Sequence, residues 1–314
     1  MLYQLSYTPA GGWACSGKQR AWQGNFPPKR KLSIKTAHSP DSPHLLDSRA
    51  MHAPVTSIIP SDLLLTAYRS GIFPMADSRD DPEIFWVEPK RRAILPLDGF
   101  HCSHSLRKVL KSGRFTVTCN AAFDAVLEAC AAPRPEHPDS WISQRIADSY
   151  HALHSAGHAH AIECWQDGVL VGGLYGVGFD RVFCGESMFS RATDASKVAL
   201  AWLVVALRQA GVTLLDCQFM TDHLASLGAI EISQQEYLIL LQEAQDQRGG
   251  PWSSLPEGFA GVLAAAGAAA GVSVAGLGAG FTAGADAPDD SPEAEAGGDS
   301  SPGKFIAQSL TQTS

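Results

Sequence analysis

Two short segments hold residue types suited to acid–base and positioning chemistry. In Phe183-Cys184-Gly185-Glu186-Ser187-Met188-Phe189-Ser190 one carboxylate stands among large apolar side chains, where a glycine ends a strand. A carboxylate buried there without a partner is costly, so the segment is either a half-exposed strand end or a place where Glu186 is held for chemistry. In Leu214-Leu215-Asp216-Cys217-Gln218 an apolar strand finishes in an acid and an amide two residues apart. Period-2 geometry puts Asp216 and Gln218 on one face, able to share a hydrogen-bond network; the plain alternative is a strand closing into a turn.

Other clusters carry less. His151, His154, His158 and His160 straddle a helix end and a strand without a Cys pair to close a site, so no metal is expected. His158 and His160 read as hydrogen-bonded strand residues, and His223 as a helix-start residue. Gly172-Gly173 and Gly176 are too few and wrongly flanked for a dinucleotide loop. Lys90, Arg91 and Arg92, then Arg107, Lys108, Lys111 and Arg114, form a basic strip that either tracks a polyanion or is a solvated face. Net charge is −8, split into about +5 over residues 1–50, about −7 in the middle and about −6 over 251–314. The middle therefore meets phosphate only through a local basic strip.

These residues need elements to position them. Ser61 with Asp62 to Arg69 reads as an N-capped helix stopped by Gly71 and Pro74; Ser103 to Lys111 as a short basic helix; Phe115 to Cys119 as a strand. Asn120 is placed to cap a helix over Ala121 to Ala132, and Trp141 to Ser155 reads as helical, closed by Gly157. Ala159 to Trp165 and Val169 to Val177, around Gln166-Asp167-Gly168, form a hairpin. A strand at Arg181 to Gly185, a helix at Ala195 to Ala210, a strand at Val212 to Cys217 and a helix near His223 to Leu227 complete an α+β domain with a mixed sheet.

The chain of 314 residues, 45% hydrophobic, can bury a sizeable core. Residues 1–50 read as a disordered extension, with Met51 a candidate true start; residues 251–314 read as an Ala/Gly-rich and then acidic mobile tail short of large side chains. Seven cysteines, an odd number without a C-x-x-C pair, read as reduced thiols. The first residues lack a secretory signal, and no run is apolar enough to span a bilayer.

Taken in order, Gly71-Ile72-Phe73-Pro74, Trp141-Ile142, Gly157-His158-Ala159-His160, Val171 to Val177, Phe183 to Ser190, Ala195-Ser196-Lys197, Asp216-Cys217-Gln218 and His223 to Ala229 resemble the bacterial leucyl/phenylalanyl-tRNA–protein transferases. The resemblance runs from Ser61 to Leu241. It implies a small N-terminal domain (51–93) followed by a GNAT-like catalytic domain (94–250). It also implies the reaction: Leu or Phe, or Met, leaves the 3′ end of leucyl-tRNA or phenylalanyl-tRNA for the α-amine of proteins with N-terminal Lys or Arg, as an N-degron. Such enzymes are expected to be cytoplasmic monomers. An aminoacyl ester is already activated, so no cofactor, metal or ATP is required.

By the same resemblance Asp216 orients Gln218, whose side-chain oxygen receives the attacking amine, with Glu186 beside it. Leu174, Phe183, Met188 and Leu215 form the aminoacyl pocket. Trp141 stacks on the terminal adenine; Met75 stands where the family has a second Trp, which weakens that clamp. His104, Arg107, Lys108 and Lys111 face the tRNA, with His104 and Ser112 where Arg is commoner. Two rivals remain: an acyl-CoA N-acetyltransferase of the GNAT superfamily, and a noncatalytic protein binding tRNA or protein N-termini.

Overall fold

The structure, a computed structural model, describes residues 6–8, 12–14, 58–133, 139–246, 254–269 and 301–311. Two small antiparallel ladders, β1 (Ser6–Thr8) with β2 (Gly12–Ala14) and β3 (Phe73–Met75) with β4 (Phe85–Val87), are hydrogen-bonded separately from the main sheet. That sheet has seven strands: β5 (Arg91–Ile94), β6 (Thr116–Cys119), β7 (Ala159–Gln166), β8 (Val169–Phe179), β9 (Val182–Ser190), β10 (Leu214–Gln218) and β11 (Ile230–Ser233). They lie in the order β11-β5-β10-β9-β8-β7-β6. Among the described residues only β9 and β10 pair in parallel, so the sheet is mixed, as expected.

Helices cover both faces. On one lie α1 (Ser61–Arg69), α3 (Phe123–Ala131), α4 (Gln144–Ser155) and α7 (Gln234–Asp246), whose apolar residues join one buried cluster. On the other lie α2 (His104–Lys111), α5 (Ala195–Ala210), α8 (Leu255–Ala269) and α9 (Pro302–Ser309), in a second cluster. A short α6 (Asp222–Ser226) follows β10 and is capped by Thr221, whose Oγ1 accepts from the Leu224 amide at 3.1 Å. The paired glycines of β8 serve both faces: a Cβ on Gly172 would lie 2.6 Å from the Ala195 Cβ of α5, and one on Gly173 would press on Val126 of α3 at 3.3 Å. They are packing residues.

Local reasons match much of the sequence pattern. The β7–β8 turn places Asp167 and Gly168 at φ 52° and 73°, the left-handed pair that matches strand twist. Ser103 caps α2 through the Leu106 amide, and Gly157, at φ 80°, closes α4. Several details differ. Helix α1 is preceded by Pro60, and Ser61 makes no cap bond. Helix α3 begins at Phe123 without an Asn120 cap. Asn120 instead accepts from the Ala161 amide (2.9 Å), and the buried Glu163 carboxylate takes the Ala122 amide (3.2 Å). Helix α4 starts at Gln144, capped by Ser143, so Trp141 lies in the loop before it. Strand β9 continues to Ser190 beyond Gly185, and β5 is a full strand where a basic surface strip was expected.

The expectation of a mobile tail does not hold for α8 and α9. Leu255, Phe259 and Val262 of α8 and Ile306, Ala307 and Leu310 at α9 are buried against α5 and α2. The scarcity of large side chains is what permits this: a Cβ on Gly258 would lie 2.3 Å from the Ala206 carbonyl of α5, so the helices meet at backbone distance. With the sheet on one side and α8 on the other, α5 is buried on all sides from Val198 to Leu207. Arg208 ties the arrangement by donating to the Leu97 carbonyl and, at 3.1 Å, to the Ser309 carbonyl. Apart from β1 and β2, the expectations for residues 1–50 and Met51 lie outside the described residues. Among the described residues no helix is long and apolar enough to cross a membrane.

Overpacking a close helix contact costs about 1–3 kcal/mol. Gly258→Val is accordingly expected to lower the calorimetric melting temperature by a few degrees, about 2–4 °C per kcal/mol for a domain of this size. An unchanged transition would mean that α8 does not pack on α5.

Candidate active site

The site lies where the sheet forks. Pairing between β9 and β10 runs through Leu214↔Val182, Leu215↔Phe183 and Asp216↔Cys184 and then stops, although β9 continues to Ser190. Strand β9 also bulges against β8: Tyr175 pairs with Ser187 and Gly176 with Gly185, leaving Glu186 as the extra residue. An inserted residue flips the alternation that follows it. Phe183 and Met188, an odd number of positions apart, thus join the same cluster on the α5 face, while Glu186 turns to the α4 face.

Glu186 is 6% exposed and fully engaged. It accepts from the phenols of Tyr68 (2.8 Å) on α1 and Tyr150 (3.0 Å) on α4, and from Gln218 Nε2 (3.0 Å) across the fork. The two phenol oxygens are themselves 2.5 Å apart. Two phenols carry two protons, but the triangle of oxygens has three close contacts. With two protons one of the three contacts is left without a hydrogen; a proton on the Glu186 carboxyl makes all three of them hydrogen bonds, one phenol then accepting from the carboxyl. Burial works in the same direction, pushing Glu186 from 4.5 up to about 7, while hydrogen bonds from Tyr68, Gln218 and Tyr150 pull it down. Both phenols are pushed well above their usual range by burial and then by Glu186, so they stay neutral donors.

The second carboxylate is held differently. Asp216, 0% exposed, receives a two-pronged bond from Arg92 (Nε to Oδ1 at 2.8 Å, Nη2 to Oδ2 at 2.5 Å) and a third bond from the Tyr237 phenol (3.1 Å). Its Oδ1 also accepts the backbone amide of Gln218 at 2.8 Å. Gln218 sits at φ 63°, a left-handed conformation that costs roughly 1–2 kcal/mol for a residue with a side chain, so this bond and the irregular β10–β5 pairing hold it. With its amide nitrogen given to Glu186, the Gln218 carbonyl oxygen is left to accept from an incoming donor.

Leu174, Phe183, Met188 and Leu215 come together as two cross-strand pairs, Leu174↔Met188 and Leu215↔Phe183, beneath α5. The acid–amide network is on the opposite face, with the fork between β9 and β10 between the two sets. Trp141 and Met75 are 6% and 2% exposed, and the Ala76 amide bonds the Trp141 carbonyl at 3.1 Å. Neither offers an open face to a base in this conformation.

Arg92 and Arg91 leave the proposed basic strip. Arg92 is 1% exposed and bound to Asp216, while Arg91 pairs with Glu231 at 2.9 Å. On α2, His104, Lys108 and Lys111 are exposed, and Arg107 folds back towards the Cys102 carbonyl at 3.5 Å. The four histidines have separate partners: His151 with Asp124, His154 with the Ala159 carbonyl, His158 with the Gly178 carbonyl and His160 with Asn120. Sequence reasoning missed Arg92's role, Tyr68, Tyr150 and Tyr237. A Tyr at a core-facing helix position, where a Leu would suit packing alone, was the available signal for Tyr68 and Tyr150.

Family models described as leucyl/phenylalanyl-tRNA protein transferase and its N-terminal domain match residues 94–242 and 59–90. A leucyl/phenylalanyl-tRNA–protein transferase of Novosphingobium aromaticivorans is 64% identical over 259 residues, 82% of this chain and 97% of that one. The chain belongs to this family. Other leucyl/phenylalanyl-tRNA–protein transferases, from Zymomonas mobilis (54% identical, 64% of this chain and 77% of that one) and Rhizorhabdus wittichii (55%, 67% and 79%), are further similar members. Among solved structures, the L-PGS of Bacillus licheniformis matches 52% of this chain and 55% of that one at TM-score 0.30 and 12% identity, a likeness too loose to argue from. Helices α8 and α9 lie beyond the span matched by the leucyl/phenylalanyl-tRNA protein transferase models.

The raised Glu186 carboxyl has a thermodynamic signature. Between pH 4.5 and about 7 the native form keeps a proton that the unfolded chain releases, so its contribution to stability is lost as pH rises through that window. Glu186→Gln is expected to flatten this part of the pH dependence in denaturant unfolding. A slope unchanged by the substitution would show that Glu186 ionises as an ordinary carboxyl.

Proposed function

We propose that the chain transfers a leucyl or phenylalanyl group from aminoacyl-tRNA to the α-amine of an acceptor protein. The observation that carries this reading is the Gln218–Glu186 bond across the fork, which takes the side-chain nitrogen of Gln218 and leaves its side-chain oxygen as an acceptor. Aminolysis of an ester needs no strong base, because an α-amine with a pKa near 8 is partly neutral at pH 7. Holding amine and ester in attack geometry supplies several kcal/mol of the barrier. Gln218 would receive the amine, Asp216 would hold Gln218, and Glu186, poised near neutrality, would exchange a proton as the ribose oxygen leaves.

The quartet Leu174, Phe183, Met188 and Leu215 would take the donor side chain; Leu or Phe in place of Ala is worth roughly 2 kcal/mol there. Stacking of the terminal adenine on Trp141 and Met75 would require the segment around Trp141 to open. His104, Lys108 and Lys111, with Arg107, would meet phosphates. A GNAT-like catalytic domain over 94–250 behind a small N-terminal domain (51–93), N-terminal Lys or Arg acceptors feeding an N-degron route, cytoplasmic location and a monomeric state complete the reading. The acyl-CoA rival is disfavoured at the start of α5: Asp194 holds the N-cap position in a left-handed conformation without a cap bond and pairs with Lys197 at 2.8 Å, an anion at the helix end where a pyrophosphate would need donors.

The test is incubation with radiolabelled phenylalanyl-tRNA and a protein bearing N-terminal Arg, beside the same protein bearing N-terminal Asp. Label should enter the first alone, and label in neither removes the proposal. Gln218→Ala should lower turnover roughly a hundredfold with little change in the KM for donor. Lys108→Ala with Lys111→Ala should weaken tRNA binding and shrink its salt dependence, and an unchanged salt slope would take α2 out of the phosphate contacts.

A further inference from the structure

Arg92 touches both arms of the network without reaching its centre. One arm runs from Asp216 to the Gln218 amide and on through Gln218 Nε2 to Glu186. The other runs through α1: Arg92 Nη1 donates to the Gly71 carbonyl at 3.0 Å, three residues after Tyr68, whose phenol donates to Glu186. A third attachment is the Tyr237 phenol of α7, which accepts from Arg92 Nη2 at 3.3 Å and donates to Asp216. The guanidinium also lies over the rings of Tyr237 (4.3 Å to centroid) and Phe73 (4.9 Å). Burial works against the charge of Arg92, and Asp216 first and Tyr237 next more than restore it, raising its affinity for the proton. A planar fork bound on both prongs fixes the plane of the carboxylate it holds, which a lysine cannot do.

From this geometry we infer that Arg92 is a positioning residue of the transfer reaction, setting the direction of the Gln218 carbonyl through Asp216 while holding the Tyr68 end of α1. The inference rests on the transferase reading. Its first test is independent of that reading: the Gln218 backbone amide, bonded to Asp216, should exchange slowly with deuterium in the wild-type protein and at least tenfold faster in Arg92→Lys, measured by NMR. Exchange unchanged by the substitution overturns the inference, whether or not the wild type transfers an amino acid.

The second test is single-turnover transfer from saturating phenylalanyl-tRNA. Arg92→Lys should lower the rate at least tenfold while leaving tRNA affinity and its salt slope unaltered. A weaker affinity with a salt slope smaller by about 1, at an unchanged rate, would make Arg92 a phosphate contact and overturn the inference. Where Arg92→Lys does not fold, Tyr237→Phe removes one hydrogen-bond donor to the same carboxylate. It should slow the rate severalfold with binding intact, and a wild-type rate overturns the inference.

Discussion

A buried ion pair governs this molecule. Arg92 and Asp216 are both essentially without solvent contact, and such a pair is tolerable only when the remaining donors and lone pairs are also satisfied. Every nitrogen and oxygen of the pair has a partner: the Gly71 carbonyl, the Tyr237 phenol and the Gln218 amide add to the two bonds between the ions. Because those partners come from the turn after α1, from α7 and from β10, satisfying one charge pair forces three distant segments into register around β5. Removing either ion would leave its partner buried and uncompensated, the expensive case, so the arrangement is specified far more sharply than apolar packing alone would require.

The site inherits its character from that constraint. β10 ends in a left-handed Gln218 because its amide is claimed by Asp216, and β9 parts from β10 at the same level. The bulge at Glu186 then turns one carboxyl towards two phenols of the N-terminal and α4 helices, and keeps the apolar residues on either side of it facing α5. Two carboxyl groups in one network end in different environments. One is locked to a guanidinium; the other is packed among neutral donors and raised towards neutrality. That separation is what distinguishes a fixed electrostatic support from a group able to exchange a proton near pH 7.

Much of this was legible in the chain. The β7–β8 hairpin, α5, the strand ending in Asp216 and Gln218, and the short helix α6 follow from period, turn residues and caps, which are local properties. The expected mobile tail fails at α8 and α9, because a lack of large side chains is not a lack of core. Gly258 and Gly303 instead let α8 and α9 approach backbone to backbone, and that closeness depends on α5 and α2 presenting small or recessed surfaces. The expected basic strip fails at Arg92 for a similar reason: Lys90-Arg91-Arg92 is a charge run in one dimension, yet strand alternation sends Arg91 outward to Glu231 and Arg92 inward to Asp216.

By itself, the sequence determined the element types, the sheet's mixed character and the family, since ordered motifs and local periodicity survive without coordinates. Tertiary structure alone decided which polar groups share a proton, which arginine is buried, and on which face of the sheet Glu186 stands. Those facts rest on partners 21 to 145 positions apart in the chain and on one inserted strand residue that reverses every side chain after it. No local pattern encodes either, because a hydrogen bond between distant segments exists only once the chain has closed on itself.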